Sequence, residues 1–206
     1  ILTGMGEKSF STGMDLVATA RGENQLQGRP AAFGGFTKRL PIYKPIIAAI
    51  NGFCLAGGME LALTCDIRIC TPEARFGLPE VRWAIMPGAG GTQRMPRAIP
   101  QAWANYLILT AEQMDAETAM RVGLVSHIVP REELMDRAMQ IANTICERGP
   151  LAVRLAKEAI LRGGDMPLDH ALEYEDEIYR HVRATEDAKE GPKAFAEKRA
   201  PNFTGH

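Results

Sequence analysis

Lys44–Gln93 reads KPIIAAINGFCLAGGMELALTCDIRICTPEARFGLPEVRWAIMPGAGGTQ, and the rest of the chain is organised around it. Ile46–Ile50 is an unbroken apolar run of strand length, as expected for a parallel sheet covered on both faces. A Gly-rich turn follows, leading into Gly57-Gly58-Met59-Glu60-Leu61. Gly57–Thr64 reads as a helix, Asp66–Thr71 alternates like a strand, and Arg75–Gly77 reads as another. Glu80 follows Pro79, and Pro87-Gly88-Ala89-Gly90-Gly91 closes the stretch. Two carboxylates, each beside a turn or helix start, suggest a site.

Outward from this stretch the composition is that of an ordinary globular protein. The 206 residues suffice for a sizeable core. A net charge of −1 gives no general attraction to nucleic acid or an anionic membrane, so neither is expected as a partner. No apolar run reaches membrane-spanning length. Cys54, Cys65, Cys70 and Cys146 form no C-x-x-C pair, and the four histidines are scattered, so no metal is expected. Reduced thiols suit a cytoplasmic location. The start on Ile1-Leu2-Thr3-Gly4 reads as the end of a strand, so an N-terminal portion is expected to be missing.

Gly4–Ser9 is read as a turn, because Glu7 separates Gly6 from Lys8 and breaks the phosphate-loop spacing. Val17–Leu40 is polar and rich in Gly and Pro, a lid or a mobile loop, with a short helix expected over Phe33–Leu40. Gln93–Met120 is expected to be helical apart from breaks near Pro96 and Pro100. Ala116–Val122 carries a helical pattern that stops at Gly123, and Leu124–Val129 reads as a strand. Helices are expected at Glu132–Arg148, Leu151–Arg162 and Leu168 to about Ala188, with a last short one near Lys193–Lys198. The expectation is an α/β core over residues 1–130 and a helical C-terminal region over 131–206. The apolar faces of those late helices suit either their own core or a subunit interface.

A strand running into Gly57-Gly58 and then a helix leaves free N–H groups at the helix start, where negative charge is favoured. Such a place binds an anion, or an oxyanion that develops during reaction. Glu60 and Glu80 are also what ordinary first turns carry. As a pair they would suit addition of water, one taking a proton from water and the other giving one to carbon. Two other patterns compete. Gly52–Ala56 resembles a nucleophile elbow with Cys54 as nucleophile, but Ala56 replaces its second glycine and no histidine is placed as partner. Gly88–Gln93 resembles a dinucleotide loop without its third glycine.

The combined motifs resemble the crotonase superfamily, and enoyl-CoA hydratases in particular. Ile1–Gly4, Phe10–Leu16 (FSTGMDL), Lys44–Gly52, Gly57–Ala62, Cys65-Asp66, Phe76–Glu80, Pro87–Arg94, Ala119–Val125 and Glu190–Asn202 carry it. The resemblance implies a spiral of ββα turns, a C-terminal helical region that drives trimer formation, and pairing of trimers into hexamers. It implies an oxyanion hole from the backbone N–H groups of Met14 and Gly57. It also implies catalytic roles for Glu60, which activates water, and Glu80, which protonates the α-carbon. Thr12, Asp15, Leu16, Gly58 and Gly88 match residues near the substrate, and Phe195 and Lys198 match tail residues that contact coenzyme A. The implied reaction is reversible syn addition of water to an α,β-unsaturated acyl-CoA, with coenzyme A part of the substrate and no further cofactor.

Met14 stands where a small residue is common, and Val17 where a basic one is common. The tail from Glu190 to Arg199 also resembles carnitinyl-CoA dehydratases. Dehydration of a functionalised acyl-CoA, enoyl-CoA isomerisation, or acyl-CoA binding without turnover are therefore open alternatives.

Overall fold

The apolar run after Pro45 becomes a strand with every side chain buried, and the sheets grow from it. The computed structural model describes residues 1–23, 33–35, 37 and 42–206. Eight strands are present among them: β1 (Leu2–Thr3), β2 (Ser9–Ser11), β3 (Ile47–Ile50), β4 (Phe53–Leu55), β5 (Ile67–Cys70), β6 (Arg75–Gly77), β7 (Met114–Asp115) and β8 (His127–Ile128). One sheet has the order β1-β3-β5-β8 and the other β2-β4-β6-β7. All pairs are parallel except β6 with β7. Each successive strand pair thus adds one strand to each sheet, parallel in every case but β7. Parallel neighbours need a crossover between them, and here the second sheet and a helix supply it. This is the α/β spiral of ββα turns that the resemblance implies.

The helices are α1 (Leu16–Ala20), α2 (Gly57–Ala62), α3 (Gly91–Ala98), α4 (Gln101–Thr110), α5 (Ala116–Arg121), α6 (Leu134–Cys146), α7 (Pro150–Gly163), α8 (Leu168–Arg183) and α9 (Glu186–Ala196). Contacts divide the chain into two units, Ile1–Leu40 with Ile46–Met139 and Pro41–Pro45 with Gln140–His206. The first unit holds both sheets. Its core joins Ile50 of β3, Met59 of α2, Phe76 of β6, Met95 of α3, Leu107 of α4 and Leu124, all buried. Fully burying each such side chain contributes about 1.5–3 kcal/mol. α2 lies close on β2, because a Cβ on Gly58 would stand 2.1 Å from the Ser11 carbonyl oxygen. The turn at Gly4–Ser9 is held by Asn51, whose Nδ2 donates to the carbonyls of Gly4 (3.2 Å) and Gly6 (2.8 Å).

In the second unit α7 packs along α8. The Arg162 guanidinium lies over the rings of Tyr43 and Tyr174 (6.0 and 5.8 Å) and pairs with Glu158 at 3.0 Å. The tail is tied to α9: Asp187 accepts from the N–H groups of Thr204 (2.7 Å) and Gly205 (2.9 Å).

Several local expectations are corrected. The expected helical stretch Gln93–Met120 contains β7, because Met114 turns inward to pair with Phe76 at the sheet edge. The short helix expected at Lys193–Lys198 is the end of α9, which starts earlier because the Thr185 hydroxyl caps it by accepting from the Ala188 N–H at 3.1 Å. The strand at Leu124–Val129 is only β8. Phe33–Gly35 forms a 3-10 turn, and the rest of the expected Phe33–Leu40 helix, Thr37 apart, lies outside the described residues. The strands β2 and β4 were not legible, each being three residues long and β2 mostly polar.

Candidate active site

Glu60 owes its position to an unusual turn. Ala56, the N-cap of α2, has φ 49° and ψ −129°, a conformation that glycine adopts easily and alanine does not. This turn swings the chain from β4 directly into α2, so Gly57 becomes the first helical residue with no intrahelical acceptor for its N–H. One turn in, Glu60 is only 3% exposed. Its Oε1 accepts from the backbone N–H groups of Ala89 (2.7 Å) and Gly91 (2.8 Å). The Pro87–Gly91 loop can close on it because Gly91 has no side chain. A Cβ there would stand 2.8 Å from Leu78 Cδ1 and 3.1 Å from Glu60 Oε1. Arg94 pins the same loop from behind, donating to the carbonyls of Ala89 (3.0 Å) and Thr37 (2.6 Å).

Glu80 lies in a 3-10 turn, Pro79–Trp83, that Pro79 starts with its fixed φ. It is 7% exposed, and its Oε2 has no hydrogen-bond partner among the described residues. Burial pushes its carboxyl up to about 7, opposed by its own backbone N–H and aided by the charge of Glu60. Burial raises Glu60 as well, but the Gly91 and Ala89 N–H groups and then Arg94 pull it back. The two environments separate the pair, as donors favour the ionised form and an undonated buried oxygen favours the protonated one. Near neutral pH, Glu60 is the better base and Glu80 the better acid.

Both glutamates line one cavity of about 360 Å³, together with Thr12, Met14, Leu16, Gly57 and Gly88. Gly13, at φ +91°, brings the Met14 turn against the start of α2: a Cβ on Gly13 would stand 2.8 Å from the Gly57 nitrogen. Two buried carboxyl groups and a turn-and-helix-start pair of backbone segments around one cavity suit acid/base chemistry on a ligand carrying a carbonyl.

The whole chain, residues 1–206, matches the family model of enoyl-CoA hydratase/isomerase. The chain belongs to the enoyl-CoA hydratase/isomerase family. It is 46% identical over 206 residues to the (E)-benzylidenesuccinyl-CoA hydratase of Thauera aromatica, covering 100% of this chain and 80% of that protein. It is 41% identical over 210 aligned positions to the carnitinyl-CoA dehydratase of Salmonella typhi, covering 100% of this chain and 80% of that one. The crystal structure of enoyl-CoA hydratase from Bacillus anthracis superposes with a TM-score of 0.91 at 45% identity, over 99% of this chain and 80% of that chain. The chain therefore spans about four fifths of the length of these relatives.

Within this family member, the remaining residues singled out from the sequence fall elsewhere. Asp15 caps α1, its Oδ1 accepting from Val17 N (2.8 Å) and Ala18 N (3.0 Å). Gly58 provides the close packing on Ser11 described above. Phe195, 87% exposed at the end of α9, and Lys198, at φ 54°, belong to the second unit. The cysteine-elbow reading is overturned. Cys54 is fully buried, its thiol faces the Gly58 carbonyl at 3.6 Å, and burial pushes it well above the usual thiol range. The Gly88–Gln93 pattern serves to bind the Glu60 carboxylate.

Sequence reasoning missed Thr37, Ala56, Trp83, Ile85, Met86 and Ala89, which also line the cavity. Only Trp83, Ile85 and Met86 left a trace, as a run of large apolar residues in a segment with no helical or strand period. Among the described residues, no cluster of His, Cys, Asp and Glu could hold a metal, and no helix is long and apolar enough to cross a membrane.

Proposed function

We propose that this protein is an enoyl-CoA hydratase, adding water reversibly and syn across the α,β double bond of an acyl-CoA thioester. The observation that carries this is the pair Glu60 and Glu80, buried in one cavity and in opposite electrostatic environments. Glu60 takes a proton from water as its oxygen bonds to the β-carbon. Glu80 gives its proton to the α-carbon, and the two carboxyls exchange protons with solvent before the next turnover. The N–H groups of Met14 and Gly57 hold the thioester oxygen while charge accumulates on it, the step where preorganised donors matter most. Coenzyme A arrives as part of the substrate, and water addition consumes no electrons. Thr12, Leu16 and Gly88 shape the acyl site, with Asp15 and Gly58 holding its turns, and Phe195 and Lys198 contact the nucleotide.

The same machinery run backwards is a dehydratase, and the similarity to a carnitinyl-CoA dehydratase favours a functionalised acyl group as a second reading. Assembly as a homotrimer, or a hexamer of paired trimers, is supported by exposed apolar side chains on the C-terminal helices, such as Ile160 (74%) and Leu168 (72%). Light scattering of the purified protein tests that assembly. Four free cysteines support a cytoplasmic location.

The test of the reaction is steady-state hydration of crotonyl-CoA. Glu60→Gln and Glu80→Gln should each lower kcat by about 10²–10⁴-fold, the usual contribution of general acid–base catalysis. Near-wild-type rates in both variants would sink the assignment.

A further inference from the structure

Thr37 is a buried polar residue for which the acid/base chemistry has no use. It lines the same cavity as Glu60 and Glu80 and is 2% exposed. Its Oγ1 is closed off from bulk water and has no hydrogen-bond partner among the described residues. A buried hydroxyl without a partner is destabilising, and native structures rarely keep one without a reason. The backbone of Thr37 is held, because Arg94 Nη2 donates to its carbonyl at 2.6 Å while Nη1 donates to the Ala89 carbonyl at 3.0 Å. Ala89 in turn donates to Glu60, so Thr37 is tied to the loop that holds Glu60. With the backbone anchored, the adjustable element is χ1, and threonine has a hydroxyl and a methyl on the same carbon. One staggered step moves the hydroxyl to a different side of the residue.

We infer that Thr37 selects the acyl group: its hydroxyl pairs with a neutral hydrogen-bonding oxygen carried by the substrate beyond the β-carbon. This rests on the hydratase reading, which puts the β-carbon at Glu60, in the cavity that Thr37 also lines. A neutral group is favoured over an anion because, among the described residues, the cavity lining carries the acidic Glu60 and Glu80 and no Lys, Arg or His to pair with one. Ile85 and Met86, which also line the cavity, are apolar and offer such an oxygen nothing. A site with a buried hydroxyl discriminates against the analogue that leaves that hydroxyl unpaired.

The experiment compares 4-hydroxybut-2-enoyl-CoA with pent-2-enoyl-CoA, which replaces the hydroxyl by a methyl of nearly equal size. Wild type should favour the hydroxy substrate in kcat/KM by about 10-fold or more, Thr37→Val should bring the ratio near one, and Thr37→Ser should restore it. A wild-type ratio near one overturns the inference, as does a ratio that survives in Thr37→Val. An equal fall in kcat for both substrates in Thr37→Val also overturns it, since the hydroxyl would then act on water and not on the acyl group. Binding of the saturated analogues, 4-hydroxybutanoyl-CoA and pentanoyl-CoA, separates this from the reaction itself. A Thr37-dependent preference without any hydration supports the inference and removes the hydratase reading, while equal binding in wild type with normal hydration does the reverse.

Discussion

Raising the pH through 7 should switch off the proton donor of this site. Glu80 is shifted from an ordinary value of 4.5 to about 7, chiefly by burial, so at pH 6 it is mostly protonated and at pH 9 almost wholly ionised. If it delivers the proton to carbon, kcat/KM falls about tenfold per pH unit well above its pKa, roughly 50-fold between pH 7 and 9. The same shift acts on stability with a definite sign. The folded state binds the proton more tightly than the unfolded chain, so stability is lost as pH rises from about 4.5 to about 7 and is level above that. At 1.36 kcal/mol per unit, the loss is on the order of 3 kcal/mol. Two assays check this: initial rates of crotonyl-CoA hydration from pH 5.5 to 9, and urea unfolding over the same range at one protein concentration. Glu80→Gln should lose the pH dependence of stability in this window, be more stable than wild type at pH 8, and have no alkaline limb in its residual activity. A wild-type kcat/KM that is flat from pH 6 to 9, with flat stability, would refute the reasoning, because Glu80 would then be ionised throughout.

Two further substitutions probe the geometry. Gly13→Ala places a Cβ 2.8 Å from the Gly57 nitrogen at a left-handed φ, forcing apart the two turns that bear the proposed oxyanion donors. Hydration kcat should fall about 10²–10³-fold, the loss typical for one oxyanion donor, with Glu80 still titrating near 7. Gly91→Ala should push the Pro87–Gly91 loop off Glu60, costing about 1–3 kcal/mol in urea unfolding from overpacking against Leu78 and Pro87. Its acid limb of kcat/KM should move to higher pH, since Glu60 loses the donor that most lowers its pKa. An unmoved acid limb would show that this N–H does not hold the base.

Sequence patterns by themselves determined the elements whose periodicity is local. The uniform apolar run Ile46–Ile50 suits a strand covered on both sides, and β3 is that strand, with its side chains at most 3% exposed over Ile47–Ile50. The stop at Gly123, the long C-terminal helices and the placing of both glutamates beside turns were legible for the same reason, since caps, breakers and spacing act within a few residues. Tertiary structure decided what those patterns leave degenerate. A glutamate in a first helical turn is ordinary until a loop 29 residues away donates two N–H groups to it, as Ala89 and Gly91 do to Glu60. Glu80 holds its proton more tightly than an ordinary glutamate because other parts of the chain remove water and withhold a donor from Oε2. Ala56 looked like a departure from a glycine motif and proved to be a turn residue held at φ 49°. Thr37 had no pattern at all, because a buried hydroxyl without a partner exists only once the neighbours are assembled. Local chemistry is written in adjacent residues, whereas desolvation and hydrogen-bond supply, which set proton affinity and selectivity, are properties of what the fold brings together.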